Sequence, residues 1–317
     1  MMRTLTTVLW ITLLLFYSCG IDDYIPNDDD APSPTPEKYI LSTLTTLPIG
    51  TGGLDVDVYG NIYAADFGVG LANINGSDIF KINPRNGESE LFANLEPTGL
   101  TGNHFDALGN LYQSNFLSSK VFKIDQSGNA QLFTQEVALP TGITIDKYGN
   151  IYILSCQNGT ITKFTQSGNS SILATSADFK CANGITWVKD TGNIYVVNFN
   201  DGNVLEVTPT GEISILTPIP NSTGNAHITS FDGELYLTAA SLGQIYKVSL
   251  DGTSVEVIAG DGSATNTDGD AKTSGLRTPN DLAFSPDGKK IYINCVANSG
   301  NSNELSPTVI RVLEKEH

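Results

Sequence analysis

The chain has 317 residues, and 34 acidic against 17 basic residues give it a formal net charge of −17. That balance argues against a nucleic-acid partner, because gripping phosphates takes clustered Lys and Arg. The four cysteines make no CxxC pair, which argues against a zinc cluster.

The first 18 residues place one positive charge, Arg3, ahead of an apolar run of nine residues from Val8 to Phe16. A bilayer-spanning helix needs roughly 20 residues, so the stretch reads as an export signal and stands outside the fold. Its end, FYSC, resembles a bacterial lipobox, with Phe16 where Leu is usual. The resemblance implies cleavage before Cys19 and attachment of lipid to that thiol. Residues 19–38, CGIDDYIPNDDDAPSPTPEK, are acidic and Pro-rich with little to bury, as expected of an extended tether. Acidic residues directly behind a lipidated Cys resemble the surface-export signal of Bacteroidetes lipoproteins. The folded part is thus expected over 39–317, outside the cytoplasm and lipid-anchored to the outer membrane. The anchor is its only expected membrane contact.

From residue 39 onward one pattern recurs: an apolar strand, a tight turn with Gly, and a second apolar strand carrying Tyr. The six copies read GLDVDVYGNIYAADF, NHFDALGNLYQSNF, GITIDKYGNIYILSC, GITWVKDTGNIYVVNF, HITSFDGELYLTAA and DLAFSPDGKKIYINC. Their turn glycines, Gly60, Gly109, Gly149, Gly192, Gly233 and Gly288, are spaced by 49, 40, 43, 41 and 55 residues. A period of about 40 to 50 residues with four strands per unit is the signature of a β-propeller. Third strands follow as IFKI, VFKI, ITKF, VLEV, IYKV and VIRV, but fourth strands appear only five times, from ELFANL to VEVIAG. The missing one lies at the other end, where YILSTLTTL precedes the first unit. The expected fold is all-β, a six-bladed β-propeller closed by this N-terminal strand pairing into the last blade, which leaves no long exposed edge. A sandwich explains neither the period nor the stray strand.

The last junction, VIAGDGSATNTDGDAKTSGLRTPNDLAFSPDGKKIYI, resembles an NHL-type propeller repeat. Its oxygen-rich stretch, 261–274, is expected to be a blade connector; it lacks the ligand spacing and the bidentate Glu of an EF-hand loop. NGITW and RTPNDLAFSPDGKKIY also resemble the senescence-marker/gluconolactonase family. That resemblance implies a channel metal held by one Glu, two Asn and one Asp. Carried over, Asn183 matches one Asn, whereas the Glu falls at Gly52, the second Asn at Thr141 and the Asp at Asn225 or Ala226. One ligand in four survives and no carboxylate does, so neither a metal nor another cofactor is expected.

Alignment on the turn glycines puts the first residues of the innermost strands in one ring: Gly52, Thr101, Thr141, Asn183, then Asn225 or Ala226, then Asn280. A second polar set, Asp66, Asn115, Ser155 and Asn198, stands three residues past each Tyr. A channel mouth lined by such groups is expected to bind a polar small molecule, a glycan or an envelope protein. The alternatives are a hydrolase or lyase acting on a lactone or sugar acid in the channel, and a scaffold that uses the rim. GxSxG, HExxH and P-loop motifs are missing. His227 and His104, on the first strands of blades five and two, are the candidate catalytic bases. Cys156 and Cys181 fall at the same mouth and are candidates for a disulfide between blades three and four, leaving Cys295 free. Tyr63, Tyr112, Tyr152, Tyr195, Tyr236 and Tyr292 recur once per blade and read as packing residues. A monomer is expected.

Overall fold

The hairpins are set by their turn chemistry. In the turn Asp-Val-Tyr-Gly-Asn, Asp57 accepts hydrogen bonds from the N–H groups of Tyr59 and Asn61, both at 2.9 Å. Gly60 closes it at φ +89°, a left-handed conformation that glycine reaches without strain. Asp106 and Asp146 repeat the arrangement in the next two blades.

The computed structural model describes residues 37–297 and 304–316. The proposed signal, the tether up to residue 36 and Cys19 lie outside the described residues. Within them, six antiparallel sheets form a six-bladed propeller, the first five sheets each running from inner to outer strand in chain order. The inner strands are Thr51–Val56, Leu100–Phe105, Pro140–Ile145, Ala182–Trp187, Ile228–Phe231 and Pro279–Phe284. The N-terminal strand Tyr39–Leu47 pairs with Thr308–Lys315, from Tyr39 opposite Lys315 to Leu47 opposite Thr308, and completes the sixth blade. Closure therefore joins the two ends of the folded chain.

The oxygen-rich stretch belongs to that closure. Gly269–Asp270 extends the sixth sheet beside Ile40 and Leu41, making it five-stranded. Arg311, fully buried, donates to the Thr267 carbonyl at 2.7 Å and the Gly275 carbonyl at 3.1 Å, and pairs with Asp268 at 3.0 Å. A buried guanidinium needs these partners, and satisfying them pins the connector to the closing strand.

Apolar clusters fill the seams between neighbouring sheets. Between blades three and four, Leu154 and Ile161 meet Ile185, Val196 and Leu205. The repeated tyrosines are buried in these seams; Tyr63 meets Phe92 and Phe105 edge-on, with ring centroids 4.9 Å away in both cases. Cys156 and Cys181 form a disulfide that joins the end of a blade-three strand to the start of blade four. Cys295 is free and buried, and burial pushes its thiol up to about 12.

At the axis the inner strands crowd one another. One register position in each of the first four blades is glycine: Gly53, Gly102, Gly142 and Gly184. A Cβ on Gly53 would lie 2.3 Å from the Thr101 carbonyl oxygen, and one on Gly142 would lie 2.5 Å from that of Asn183. On Gly184 it would lie 2.5 Å from the His227 Cα. Each glycine thus lets the next blade's backbone approach. In blades five and six the same position holds His227 and Asp281.

Gly184→Ala must therefore push two blades apart, and overpacking of this kind costs about 2 kcal/mol or more. Gly168→Ala is the control: nothing lies within 4 Å of that Cβ, and only its φ of +84° opposes the change, at a cost of about 1 kcal/mol. Urea unfolding should rank Gly184→Ala as clearly the less stable variant. Equal losses would mean that the neck is not close-packed.

Candidate functional site

Two cavities lie on the propeller axis. The larger, about 850 Å³, opens at the mouth. The starts of the inner strands contribute Thr51, Gly52, Thr101, Thr141, Asn183 and Asn280, with His227 behind them. The loops beyond the strand ends contribute Phe67, Val69, Leu71, Ile74, Phe116, Phe199 and Leu305. Among its lining residues there is no Asp, Glu, Lys or Arg. The mouth thus has a polar base and a mostly apolar rim, which Asn73, Asn200 and Thr278 also line.

Much of the polar base is already committed. The Thr101 hydroxyl donates to the Pro140 carbonyl at 2.8 Å, and the Thr141 hydroxyl to that of Ala182 at 2.7 Å. Asn280 Nδ2 donates to the Gly52 carbonyl at 2.7 Å. Each bond ties one blade to the next. The Asn183 side chain has no hydrogen-bond partner among the described residues. The groups left for a ligand therefore include the whole amides of Asn183 and of the rim residues Asn73 and Asn200, and the side-chain oxygen and second Nδ2 hydrogen of Asn280.

The other sequence-predicted polar residues are not among the mouth's lining residues. Asp66 accepts the N–H groups of Gly50 and Gly68 at 2.7 and 2.9 Å. Asn115 accepts from the Thr98 hydroxyl and donates to the Glu96 carbonyl at 3.1 Å. The Ser155 hydroxyl donates to the Ala138 carbonyl at 2.6 Å, and Asn198 donates to that of Asp178 at 2.7 Å. All four staple the connector that enters their own blade, satisfying backbone groups that would otherwise lack partners. Asn225 is buried and accepts from the Ser222 hydroxyl at 2.8 Å, while Ala226 starts the fifth inner edge by donating to the Thr238 carbonyl.

The rim shows what the sequence reading missed. Successive strand residues face opposite ways, so the residue after each staple turns toward the mouth. Four residues past the repeated Tyr, the chain carries Phe67, Phe116, Cys156, Phe199 and Ala240 in blades one to five. The three phenylalanines and Ala240 line the cavity, and Phe67 lies against Phe116 with centroids 6.1 Å apart. The recurring Asp-Phe and Asn-Phe pairs were the available signal.

Behind the base sits the neck. His227 Nδ1 lies 3.3 Å from Asp281 Oδ2, and both side chains are buried. Asp281 also accepts the N–H groups of Leu54 and Leu282, both at 2.8 Å. Burial pushes the imidazole from its ordinary 6.5 down to about 3. Burial likewise raises the Asp281 carboxyl well above its usual range, and neighbouring Asp55 adds to that rise. His227 borders both the mouth and a second cavity of about 180 Å³, which is lined further by Asp55, Asn103 and His104. There the pairing repeats, with His104 Nδ1 3.3 Å from Asp55 Oδ2. Burial raises the Asp55 carboxyl as well. The two histidines are thus each matched to a carboxylate of an adjoining blade, and neither carboxylate was singled out from sequence. Among the described residues no group of three or more His, Cys, Asp or Glu is placed to hold a metal ion.

No protein-family model matches the sequence, and no curated protein matches it. Solved structures do match. Virginiamycin B lyase from Staphylococcus aureus aligns at TM-score 0.59 and 15% identity, over 88% of this chain and 99% of that one. A catalytically inactive His-to-Ala variant of that lyase with quinupristin aligns at 0.58 and 16%, over 87% and 99%. A gluconolactonase from Xanthomonas campestris aligns at 0.66 and 13%, over 87% and 89%. At these identities the likeness establishes the fold.

The His227 geometry makes a titration prediction. Its ring nitrogen shifts should stay flat from pH 8 to pH 5 in an NMR titration; a sigmoid centred above pH 5 would contradict its burial. The folded value lies below the unfolded one, so the unfolded chain alone takes up this proton as pH falls from about 6.5 toward about 3. Stability from the neutral ring is complete above that window and is lost within it, by at most about 1.4 kcal/mol per pH unit. Asp281, with its value raised by burial, works in the opposite sense, so the comparison with His227→Gln isolates the ring. That variant should show less acid loss than the native chain in urea melts across the window.

Proposed function

We propose that the chain is a binding propeller that takes a small molecule into its channel mouth. The observation that carries this reading is the cavity of about 850 Å³, with its mostly apolar rim, largely committed polar base and an uncommitted amide at Asn183. Small-molecule sites of about 300–1,000 Å³ have this composition: mostly apolar walls with a few placed polar groups. The rim shifts the expected ligand from a purely polar one toward an amphipathic one.

A second reading, a lyase or hydrolase, has its own observation. A buried imidazole oriented by a carboxylate borders the cavity, which is the arrangement a general base requires. A structural neighbour that is a lyase, inactive as a His-to-Ala variant, supports keeping it.

One experiment separates these readings. A library of uncharged and charged small molecules is screened against the full chain by calorimetry, and the tightest binder is retested on Asn183→Ala and Phe199→Asp. Capture at the mouth predicts at least a tenfold loss in each; unchanged affinity in both rules the mouth out. Mass spectrometry of the same binder after incubation reports on catalysis. A converted product that disappears with His227→Ala establishes the enzyme reading, and an intact binder supports capture.

The propeller is further proposed to be held at the outer membrane through lipid on Cys19. Cys19→Ser should then move the chain from the outer-membrane fraction to the soluble one. A variant that still pellets with membranes would remove the anchor from the proposal.

A further inference from the structure

Resting on the capture reading, we infer that the mouth selects an uncharged ligand: an apolar body of ring or branched-chain character that ends in a carboxamide-like group.

The charge argument comes from the lining. An ion drawn into this cavity gives up water and meets no opposite charge, because no Asp, Glu, Lys or Arg borders it among the described residues. An anion is disfavoured twice, since the chain's net charge of −17 repels it on approach. A cation is attracted at long range but finds no carboxylate at the mouth. The carboxylates on the axis, Asp55 and Asp281, border the smaller cavity behind the neck, and both are committed to histidines and backbone N–H groups.

The shape of the polar end comes from the atoms left over. Asn183 offers two N–H donors and a carbonyl, as do Asn73 and Asn200 at the rim, and Asn280 keeps its side-chain carbonyl and one Nδ2 hydrogen beside the bond to Gly52. A group that both donates and accepts satisfies this set, and a carboxamide does so without charge. The body meets Phe67, Phe116 and Phe199, three rings from three blades. Aromatic walls of this kind favour flat or bulky apolar groups over flexible hydrophilic chains.

The test uses three probes with one apolar body: 1-naphthylacetamide, 1-naphthylacetate and 1-naphthylmethylammonium, titrated at pH 7 into the full chain. The amide should bind at least tenfold more tightly than either ion, and Asn183→Ala should erase most of that lead. Leu71→Asp and Phe199→Asp place a charge on rim residues that are already exposed, 64% and 40%, so the fold tolerates them. Both should weaken the amide at least tenfold. If an ion binds as tightly as the amide while the rim variants still abolish binding, the inference fails and capture at the mouth stands. If no probe binds at millimolar concentration, the inference fails; if a probe binds and the rim variants leave that binding unchanged, the capture reading itself fails.

Discussion

Six strands can crowd one axis only where side chains are missing. The neck meets that constraint with glycine in four blades, each of which lets the next blade's backbone come within a distance that a Cβ would occupy. The remaining two places carry His227 and Asp281, whose buried side chains meet each other there. Because the pair is buried, charge there is expensive, and burial drives both groups toward their neutral forms. One substitution pattern at one register position therefore closes four seams and divides the channel into two cavities. It also sets the protonation of the residue that borders both.

The apolar character of the mouth follows from the same economy of backbone partners. Many polar side chains near the axis are used in holding the ring together: Thr101, Thr141 and Asn280 tie neighbouring inner strands, and Thr238 donates to the Asn280 backbone carbonyl at 2.7 Å. Asp66, Asn115, Ser155 and Asn198 hold the incoming connectors. Ligand selectivity is then left to what those duties spare, a few free amides and a rim of rings.

The architecture was legible in the sequence because a propeller repeats its turn chemistry at a fixed interval, and a stray N-terminal strand has one place to go. The connector at 261–274 was legible for a related reason: it falls where a junction must be, and Arg311 holds its Thr267 carbonyl and Asp268 carboxylate. Side-chain duty was much less legible. Alignment located Asn115 and Asn198 correctly along their strands, yet it carries no information about which neighbouring backbone group lacks a partner. Asp281 was visible as the residue standing where four blades have glycine, but a break in a pattern does not say what fills the gap until His227 is seen beside it.

The third blade shows how this reasoning extends to a departure from the repeat. Where blades one, two and four carry Phe67, Phe116 and Phe199, blade three carries Cys156, bonded to Cys181. The aromatic wall is interrupted there and replaced by a covalent link between the connector and the neighbouring strand. Cys181 borders the mouth and holds a φ of +49°, a conformation that L-residues adopt rarely. A bond closing a loop of 25 residues typically stabilises by about 2–4 kcal/mol, enough to hold that residue in place. The segment it restrains leads into Asn183, two residues further on, so the disulfide and the uncommitted amide at the base share a short stretch of backbone. The blade that gives up its ring thus supplies rigidity to the polar end of the site, and the other three supply its apolar surface.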